Sequence, residues 1–228
     1  MNTRARKNKK LSLKWMTGTA MMIALTIVVA NTPLGLIRLP FLTATTLHIP
    51  VIIATLVLGI EAGVITGLVF GISSLISNLT GASFFAPFFI NPLVSVLPRV
   101  LLPVCVYAID RAVEKLVGHY DCHRTVVAIA ASALGTLAHT AMVMGMIYLL
   151  YHGRIAELLA AGAGVPDLIA QRGVGMGVAL LGVINGVPEA IVAAVIAPVV
   201  ASALNSALGN EGSRKPKRRI PLQYQIKR

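Results

Sequence analysis

The chain consists mostly of long apolar runs separated by short polar stretches, and this pattern restricts the folds that are open to it. Of the 228 residues, 56% are hydrophobic and 12% are charged, whereas soluble domains carry about a quarter charged residues. The strands of a membrane barrel would alternate apolar and polar residues, but these runs are apolar on every face. We therefore predict an all-α integral membrane protein, folded as one compact domain over residues 1–228.

Six apolar runs are predicted to form the helices of this bundle. They cover residues 13–30, 48–59, 64–79, 90–109, 125–151 and 175–204. Glu61-Ala62-Gly63 is predicted to form a tight turn between the second and third runs. Gly67 and Gly71 lie four apart in the third run, a spacing that lets helices approach closely. The second run is short for a membrane span, which takes about 20 residues, so we expect it to tilt or to include residues 45–47. Six spans would place both chain ends on one side of the membrane.

The basic residues are concentrated in two tails, residues 1–12 and 206–228, and beside the apolar runs. We interpret the net charge of +12 as a topology signal and a contact with anionic lipid, with no nucleic-acid partner. With cytoplasmic termini, the inside holds six basic residues up to Lys14, three in the middle loop and seven in the last tail, and the outside holds three. This asymmetry predicts cytoplasmic termini and a multi-pass protein of the cell membrane.

Arg99 lies inside the fourth apolar run with no acidic residue near it in sequence. Asn91 and Ser95 precede it at a spacing of four, so all three share one helix face, and Arg99 lies about 12 Å from Asn91 along the helix. An ionisable group in a membrane helix is costly and usually faces the bundle interior or a wet cavity. The planar guanidinium suits a carboxylate or phosphate. Two alternatives are a headgroup contact and an ion pair with Glu189, while Asn91 is interpreted first as a helix cap.

Other polar residues in or beside the apolar runs are weaker candidates. Glu189 and Asn185 lie one turn apart in the last run, and Asn78 ends the third. A lone histidine within a helix, such as His139, is more often a packing or hydrogen-bonding residue than a ligand contact. His48 begins the second run, where we favour a capping or headgroup role. The histidine, aspartate and cysteine side chains of residues 119–123 have no second ligand group near them, so we expect no metal site and no cofactor.

An ordered set of motifs resembles the substrate-binding S component of energy-coupling factor (ECF) vitamin transporters. The set consists of His48-Ile49-Pro50-Val51-Ile52-Ile53 with Gly59, Gly63 and Gly67, then Phe70-Gly71-Ile72-Ser73-Ser74-Leu75, Phe88-Phe89-Ile90-Asn91-Pro92, Leu97-Pro98-Arg99 and Asn185-Gly186-Val187-Pro188-Glu189-Ala190-Ile191. Ala20 and Ala24 match the AxxxA pattern with which such proteins dock their partner, and packing within the bundle is the alternative role.

The resemblance implies a protein that binds a vitamin or its precursor on the outer side of the membrane. It further implies association with a transmembrane coupling subunit and two cytoplasmic ATPases. The chain contains no G-x-x-x-x-G-K-[ST] phosphate loop, so we expect it not to be an enzyme and the partners to hydrolyse ATP. The other functions kept open are a standalone small permease and a membrane assembly protein without a ligand.

The expected ligand is pantothenate, because a buried arginine without a dense aromatic cage favours a small anion. The expected binding residues are Arg99, Asn91, Asn78, His139, Asn185, Glu189 and Ser95. A pyridoxine- or hydroxymethylpyrimidine-type ligand is the alternative. Two loops are gate candidates: one contains Pro33 and Gly35, and the other contains Phe84 and Phe85, which could instead lie in the membrane interface as an aromatic belt.

Overall fold

The computed structural model describes residues 13–32, 35–38, 43–80, 86–117, 123–160 and 173–208. Most of the two basic tails, the gate candidates Pro33, Phe84 and Phe85, and residues 119–122 lie outside these ranges. The helices are α1 (Leu13–Ala30), α2 (His48–Leu58), α3 (Ile60–Thr80), α4 (Ala86–Phe89), α5 (Pro92–Val117), α6 (His123–Ala160) and α7 (Val174–Ala207). Two strands, β1 (Leu36–Arg38) and β2 (Thr43–Thr45), lie between α1 and α2.

Five helices, α1, α3, α5, α6 and α7, are long and apolar enough to cross a membrane. The second apolar run forms α2, which has only 11 residues and is about 16 Å long. This length is roughly half of the 30 Å hydrocarbon core of a bilayer. The predicted helical membrane class is therefore confirmed, with five candidate spans and one short apolar helix in the described residues.

The chain forms a small hairpin before α2, in a segment that we predicted to be a loop. Strands β1 and β2 pair antiparallel, with Leu36 opposite Thr45 and Arg38 opposite Thr43. Backbone N–H and C=O groups that are shielded from water need hydrogen-bond partners, and strand pairing supplies them where the chain is not helical. The hairpin leads directly into the first turn of α2.

Helix α2 lies in the centre of the bundle. Every residue from His48 to Thr55 is buried, and the helix contacts α1, α3, α5 and α7. Its end differs from the prediction, because the turn lies at Gly59 rather than at residues 61–63. Gly59 has a φ of 101°, a conformation that suits glycine, whereas Glu61 and Ala62 continue as the first turn of α3.

Glycines on α3 allow α5 to approach closely. A Cβ atom added at Gly67 would overlap the carbonyl oxygen of Arg99, and one at Gly71 would lie 2.9 Å from the Cα atom of Val96. Small residues four apart are expected at such contacts in membranes, which confirms the close approach predicted from the spacing of Gly67 and Gly71. The α3–α5 contact fixes the backbone of α5 at Arg99.

The start of α1 and the end of α7 lie at the same end of the bundle. The Nζ atom of Lys14 donates a hydrogen bond to the carbonyl oxygen of Leu208 over 2.9 Å. At the other end, α6 has a kink at Tyr151, the residue at which the fifth run was predicted to end. The helix then continues to Ala160, beyond the predicted end of the fifth run.

Candidate functional site

Arg99 is held inside the bundle by a hydrogen bond to a backbone carbonyl oxygen that has lost its usual helical donor. Pro98 has no N–H, so Val94, four residues earlier, loses its intrahelical donor. The Nη1 atom of Arg99 donates to this carbonyl oxygen over 2.7 Å. Arg99 is only 4% exposed, which is inconsistent with a headgroup contact. Its Nε atom is buried without a hydrogen-bond partner among the residues that the structure describes.

Two aromatic rings lie beside the guanidinium. Its Cζ atom is 4.8 Å from the ring centroid of Phe89 and 5.4 Å from that of Phe70, within the range of cation–π contacts. Neither ring was among the predicted binding residues, although both belong to the motifs that carry the family resemblance. The rings stabilise the cation but accept no conventional hydrogen bond, so donors of Arg99 remain available to a ligand.

Glu189 connects α7 to the hairpin. Its Oε1 atom accepts a hydrogen bond from the backbone N–H of Thr45 over 2.6 Å, although 144 residues separate them. In the described part of the chain, the ion pairs are Arg111–Glu114 and Arg124–Asp110, so Glu189 is not paired directly with Arg99. The two side chains are nevertheless close enough to interact electrostatically.

Two histidines complete this polar cluster, which we define as Arg99, Glu189, His48 and His139. His48 is 1% and His139 is 3% exposed, so His48 does not have the surface role that we favoured. The ring of His139 lies 6.1 Å from that of Phe70, and His139 interacts electrostatically with both Arg99 and His48. Helices α2, α5, α6 and α7 therefore each bring one ionisable side chain to the same region.

Asn91 and Ser95 have structural contacts on the same helix face. The Oδ1 atom of Asn91 accepts a hydrogen bond from the N–H of Leu93 over 3.0 Å, which is the helix cap that we interpreted first for this residue. Its Nδ2 atom donates to the hydroxyl of Tyr151 over 3.2 Å. The hydroxyl of Ser95 donates to the carbonyl oxygen of Phe89. These bonds position Phe89 and the start of α5 beside Arg99.

A comparison of the sequence with models of known protein families agrees with this architecture. A family model for the substrate-specific component of ECF transporters matches residues 14–201. The chain belongs to this family. A comparison with curated proteins gives no match. The protein is therefore a multi-pass membrane subunit that binds a substrate for an ECF module, and ATP hydrolysis belongs to its partner subunits.

In this S component, the other two asparagines among the predicted binding residues hydrogen-bond within their own helices. The Nδ2 atom of Asn78 donates to the carbonyl of Ser74 over 2.7 Å, and that of Asn185 donates to the carbonyl of Leu181 over 2.8 Å. Asn185 is buried one turn before Glu189, whereas Asn78 lies two turns beyond Phe70 on α3. The structure therefore places Asn185 nearer the polar cluster along its own helix, and gives Asn78 no contact with it.

The gate candidate that lies within the described residues is Gly35. It is buried, and a Cβ atom there would overlap the carbonyl group of Val29. Its carbonyl oxygen accepts a hydrogen bond from the N–H of Thr46 over 3.2 Å. Gly35 thus connects the end of α1 with the start of α2, at the base of the hairpin.

Ala20 and Ala24 are exposed on the outer surface of α1. The buried residues of this helix are Gly18, Thr19, Met22 and Thr26, which lie on the opposite face. The two alanines therefore do not pack within the described bundle. In this S component, their surface is therefore not covered by the described helices.

A cavity of about 380 Å³ lies between α6 and α7. Its lining is mainly apolar and includes Leu137, Met144, Tyr148, Val178 and Val183. None of the four side chains of the polar cluster lines it. This cavity is therefore distinct from the region around Arg99.

Proposed function

We propose that this S component binds a small water-soluble vitamin at the polar cluster and passes it to an ECF module for import. The supporting observation is Arg99, which is buried with one hydrogen bond and an unpartnered Nε atom among the described residues. Such a cation is costly inside a membrane protein unless other groups compensate it. A polar ligand would provide the missing hydrogen bonds.

The proposed ligand is pantothenate. Its carboxylate would accept hydrogen bonds from Arg99, for which the guanidinium geometry is well suited. Its hydroxyl and amide groups would bind polar residues around the arginine, among them His139, Asn185 and Glu189. Asn91 and Ser95 would support this site through the end of α4, which carries Phe89, and Asn78 would contribute from α3.

A neutral ligand of the pyridoxine or hydroxymethylpyrimidine type is the second candidate. It is favoured by the electrostatic interaction between Arg99 and Glu189, because their formal charges sum to zero. A ligand without net charge would then leave the buried site electrically neutral. Pantothenate would add one negative charge to it.

The proposed partners are a transmembrane coupling subunit, which would pack on Ala20 and Ala24, and two cytoplasmic ATPases. The protein would lie in the cell membrane with cytoplasmic termini, in agreement with the asymmetry of basic residues. A standalone permease would transport its substrate in cells that lack the coupling subunits. A membrane assembly protein would yield no bound small molecule.

The test begins with mass spectrometry of small molecules that co-purify with the detergent-extracted protein. Calorimetric titrations with pantothenate, pyridoxine and hydroxymethylpyrimidine would follow. If pantothenate is the ligand, Arg99→Gln should weaken its binding by about 10- to 100-fold, since hydrogen bonds to charged groups contribute roughly 1.5–3 kcal/mol.

Arg111→Gln is the matched control, because Arg111 is partly exposed and paired with Glu114 within α5. It should bind the ligand as the unsubstituted protein does. Unchanged affinity in Arg99→Gln would exclude a direct role for Arg99. The absence of any bound or binding small molecule would contradict the proposed function itself.

A further inference from the structure

The two histidines of the polar cluster are buried without hydrogen bonds. Neither ring nitrogen of His48 or of His139 has a partner among the described residues. The backbones of Thr45 and Glu189 lie near the ring of His48, but no contact has the geometry of a hydrogen bond. Buried polar side-chain atoms are hydrogen-bonded in the large majority of cases, so four unsatisfied ring nitrogens in one region require an explanation.

The histidines come from separate elements that converge at Arg99. His48 is the first residue of α2, at the end of the hairpin, and His139 lies in the middle of α6. Local packing needs could be met by apolar side chains at both positions, and each polar group left unsatisfied carries its full desolvation penalty. A group that enters the site and hydrogen-bonds both rings would remove that cost.

The chemistry of the rings restricts what this group can be. A neutral imidazole has one donor and one acceptor nitrogen, and a hydroxyl also donates and accepts. A carboxylate could accept from the rings but could not donate to them. A metal ion is disfavoured by the positive charge of Arg99, and the described residues contain no group of three metal-binding side chains.

We propose that His48 and His139 together recognise a hydroxyl-bearing part of the ligand, while Arg99 binds its acceptor end. The ligand class is therefore a small molecule that carries at least one hydroxyl group in addition to that acceptor. This inference rests on the proposed function and adds His48 to the binding residues. Both histidines determine specificity through direct contact with the ligand.

The experiment compares pairs of ligands that differ in hydroxyl groups. Pantothenate is compared with N-(3,3-dimethylbutanoyl)-β-alanine, which keeps the amide and carboxylate but lacks both hydroxyls. If the protein binds pyridoxine instead, 4-deoxypyridoxine is the partner compound. We expect the unsubstituted protein to bind the deoxy compound about 10- to 100-fold more weakly, as for the loss of one or two buried hydrogen bonds.

The same pairs are then titrated into His139→Leu and His48→Leu. Discrimination between the hydroxyl and deoxy compounds should fall to about 3-fold or less in each variant, because both compounds then lack a partner at that position. Arg99→Gln should keep this discrimination. Thr136→Val is the control on α6, since the hydroxyl of Thr136 is satisfied by the carbonyl oxygen of Ser132.

The possible results distinguish a failure of this inference from a failure of the proposed function. Undiminished discrimination in both histidine variants would overturn the inference, as would a co-purified vitamin that has no hydroxyl group. In either case the vitamin-binding function would stand. If the unsubstituted protein binds no small molecule, both fail together. Should His48→Leu not fold, His48→Asn, which keeps one donor and one acceptor, replaces it and should retain part of the discrimination.

Discussion

Helices α1 and α2 are both apolar, yet they occupy opposite environments. Four of the 18 residues of α1 are buried, and two of these are threonines whose hydroxyls donate to carbonyls of their own helix. Eight of the 11 residues of α2 are buried, among them valine and isoleucine. Apart from the buried Met22, most large apolar side chains of α1 therefore face outward, while those of α2 form the core.

This difference between α1 and α2 follows from the lipid that surrounds a membrane protein. Lipid chains are as apolar as leucine, so a membrane provides no hydrophobic driving force that sorts apolar residues to the inside of a bundle. Helix position is decided instead by packing of small residues and by polar contacts. The outer face of α1 is consequently free for a partner, and α2 is surrounded on all sides. The predictions below test this contrast.

The largest expected effect is on transport and comes from the outer face of α1. Tryptophan at both Ala20 and Ala24 should reduce ECF-dependent uptake to background, because bulky side chains prevent close helix approach. Ligand binding by the purified S component should not change. Uptake of the labelled vitamin in cells that express the complete transporter, together with calorimetry, measures both quantities.

Leu25→Trp is the control for this pair, since Leu25 is exposed on α1 but lies off the Ala20–Ala24 strip. It should retain uptake. Equal loss of uptake in the control would indicate a general effect of bulk on α1 rather than a docking strip.

The second prediction compares the same substitution in the two helices. Ala54 in α2 is fully buried, so Ala54→Leu should destabilise the protein by about 1–3 kcal/mol through overpacking. Ala24→Leu in α1 should leave stability nearly unchanged. Thermal unfolding of the detergent-solubilised variants measures the difference, and a similar response of the two variants would contradict the central position of α2.

A smaller effect is expected at the contact that precedes α2. Glu189→Gln keeps an acceptor for the N–H of Thr45 but removes its charge, and charge-assisted hydrogen bonds are about twice as strong as neutral ones. We expect a loss of roughly 1 kcal/mol in stability and faster hydrogen exchange at Thr45. Exchange at Thr45 that is unaffected by the substitution would show that Glu189 does not hold the hairpin.

The smallest effect concerns a direct connection between the two helices. The Nε1 atom of Trp15 in α1 donates to the carbonyl oxygen of Leu58 at the end of α2 over 3.2 Å. Trp15→Phe should cost about 0.5 kcal/mol, the low end of the net value of one such bond. If Trp15→Phe lowers the thermal midpoint as much as Ala54→Leu does, this hydrogen bond stabilises the protein as much as the packing at Ala54, which would contradict the expected order.

Much of the fold could be predicted because its signals are local. The bounds of α1 and the near-coincidence of α7 with residues 175–204 follow from runs of apolar residues, and the cap at Asn91 follows from its place before Pro92. The glycine spacing on α3 predicted a close helix contact. The hairpin was not predicted, because two three-residue strands between helices have no periodic pattern long enough to detect.

The candidate site was predicted in part. Arg99, Glu189 and His139 were identified as polar residues in apolar helices, which is an unusual feature at the sequence level. Phe70, Phe89 and His48 were missed as site residues, since aromatic residues and a histidine at a helix start have common structural roles. Only the tertiary structure distinguishes them, because it places both aromatic rings beside Arg99 and His48 near His139.

The sequence by itself determined that this protein is a helical membrane subunit of the ECF substrate-specific family, where its long helices lie, and which charged groups they bury. These properties depend on residue type and on neighbours within a few turns. Only the tertiary structure decided that α2 lies at the centre, that Glu189 holds Thr45 rather than pairing with Arg99, and that His48 lies near enough to His139 to interact electrostatically. Those contacts join residues that are distant in the chain, and in a bilayer hydropathy does not distinguish an inward face from a lipid-facing one.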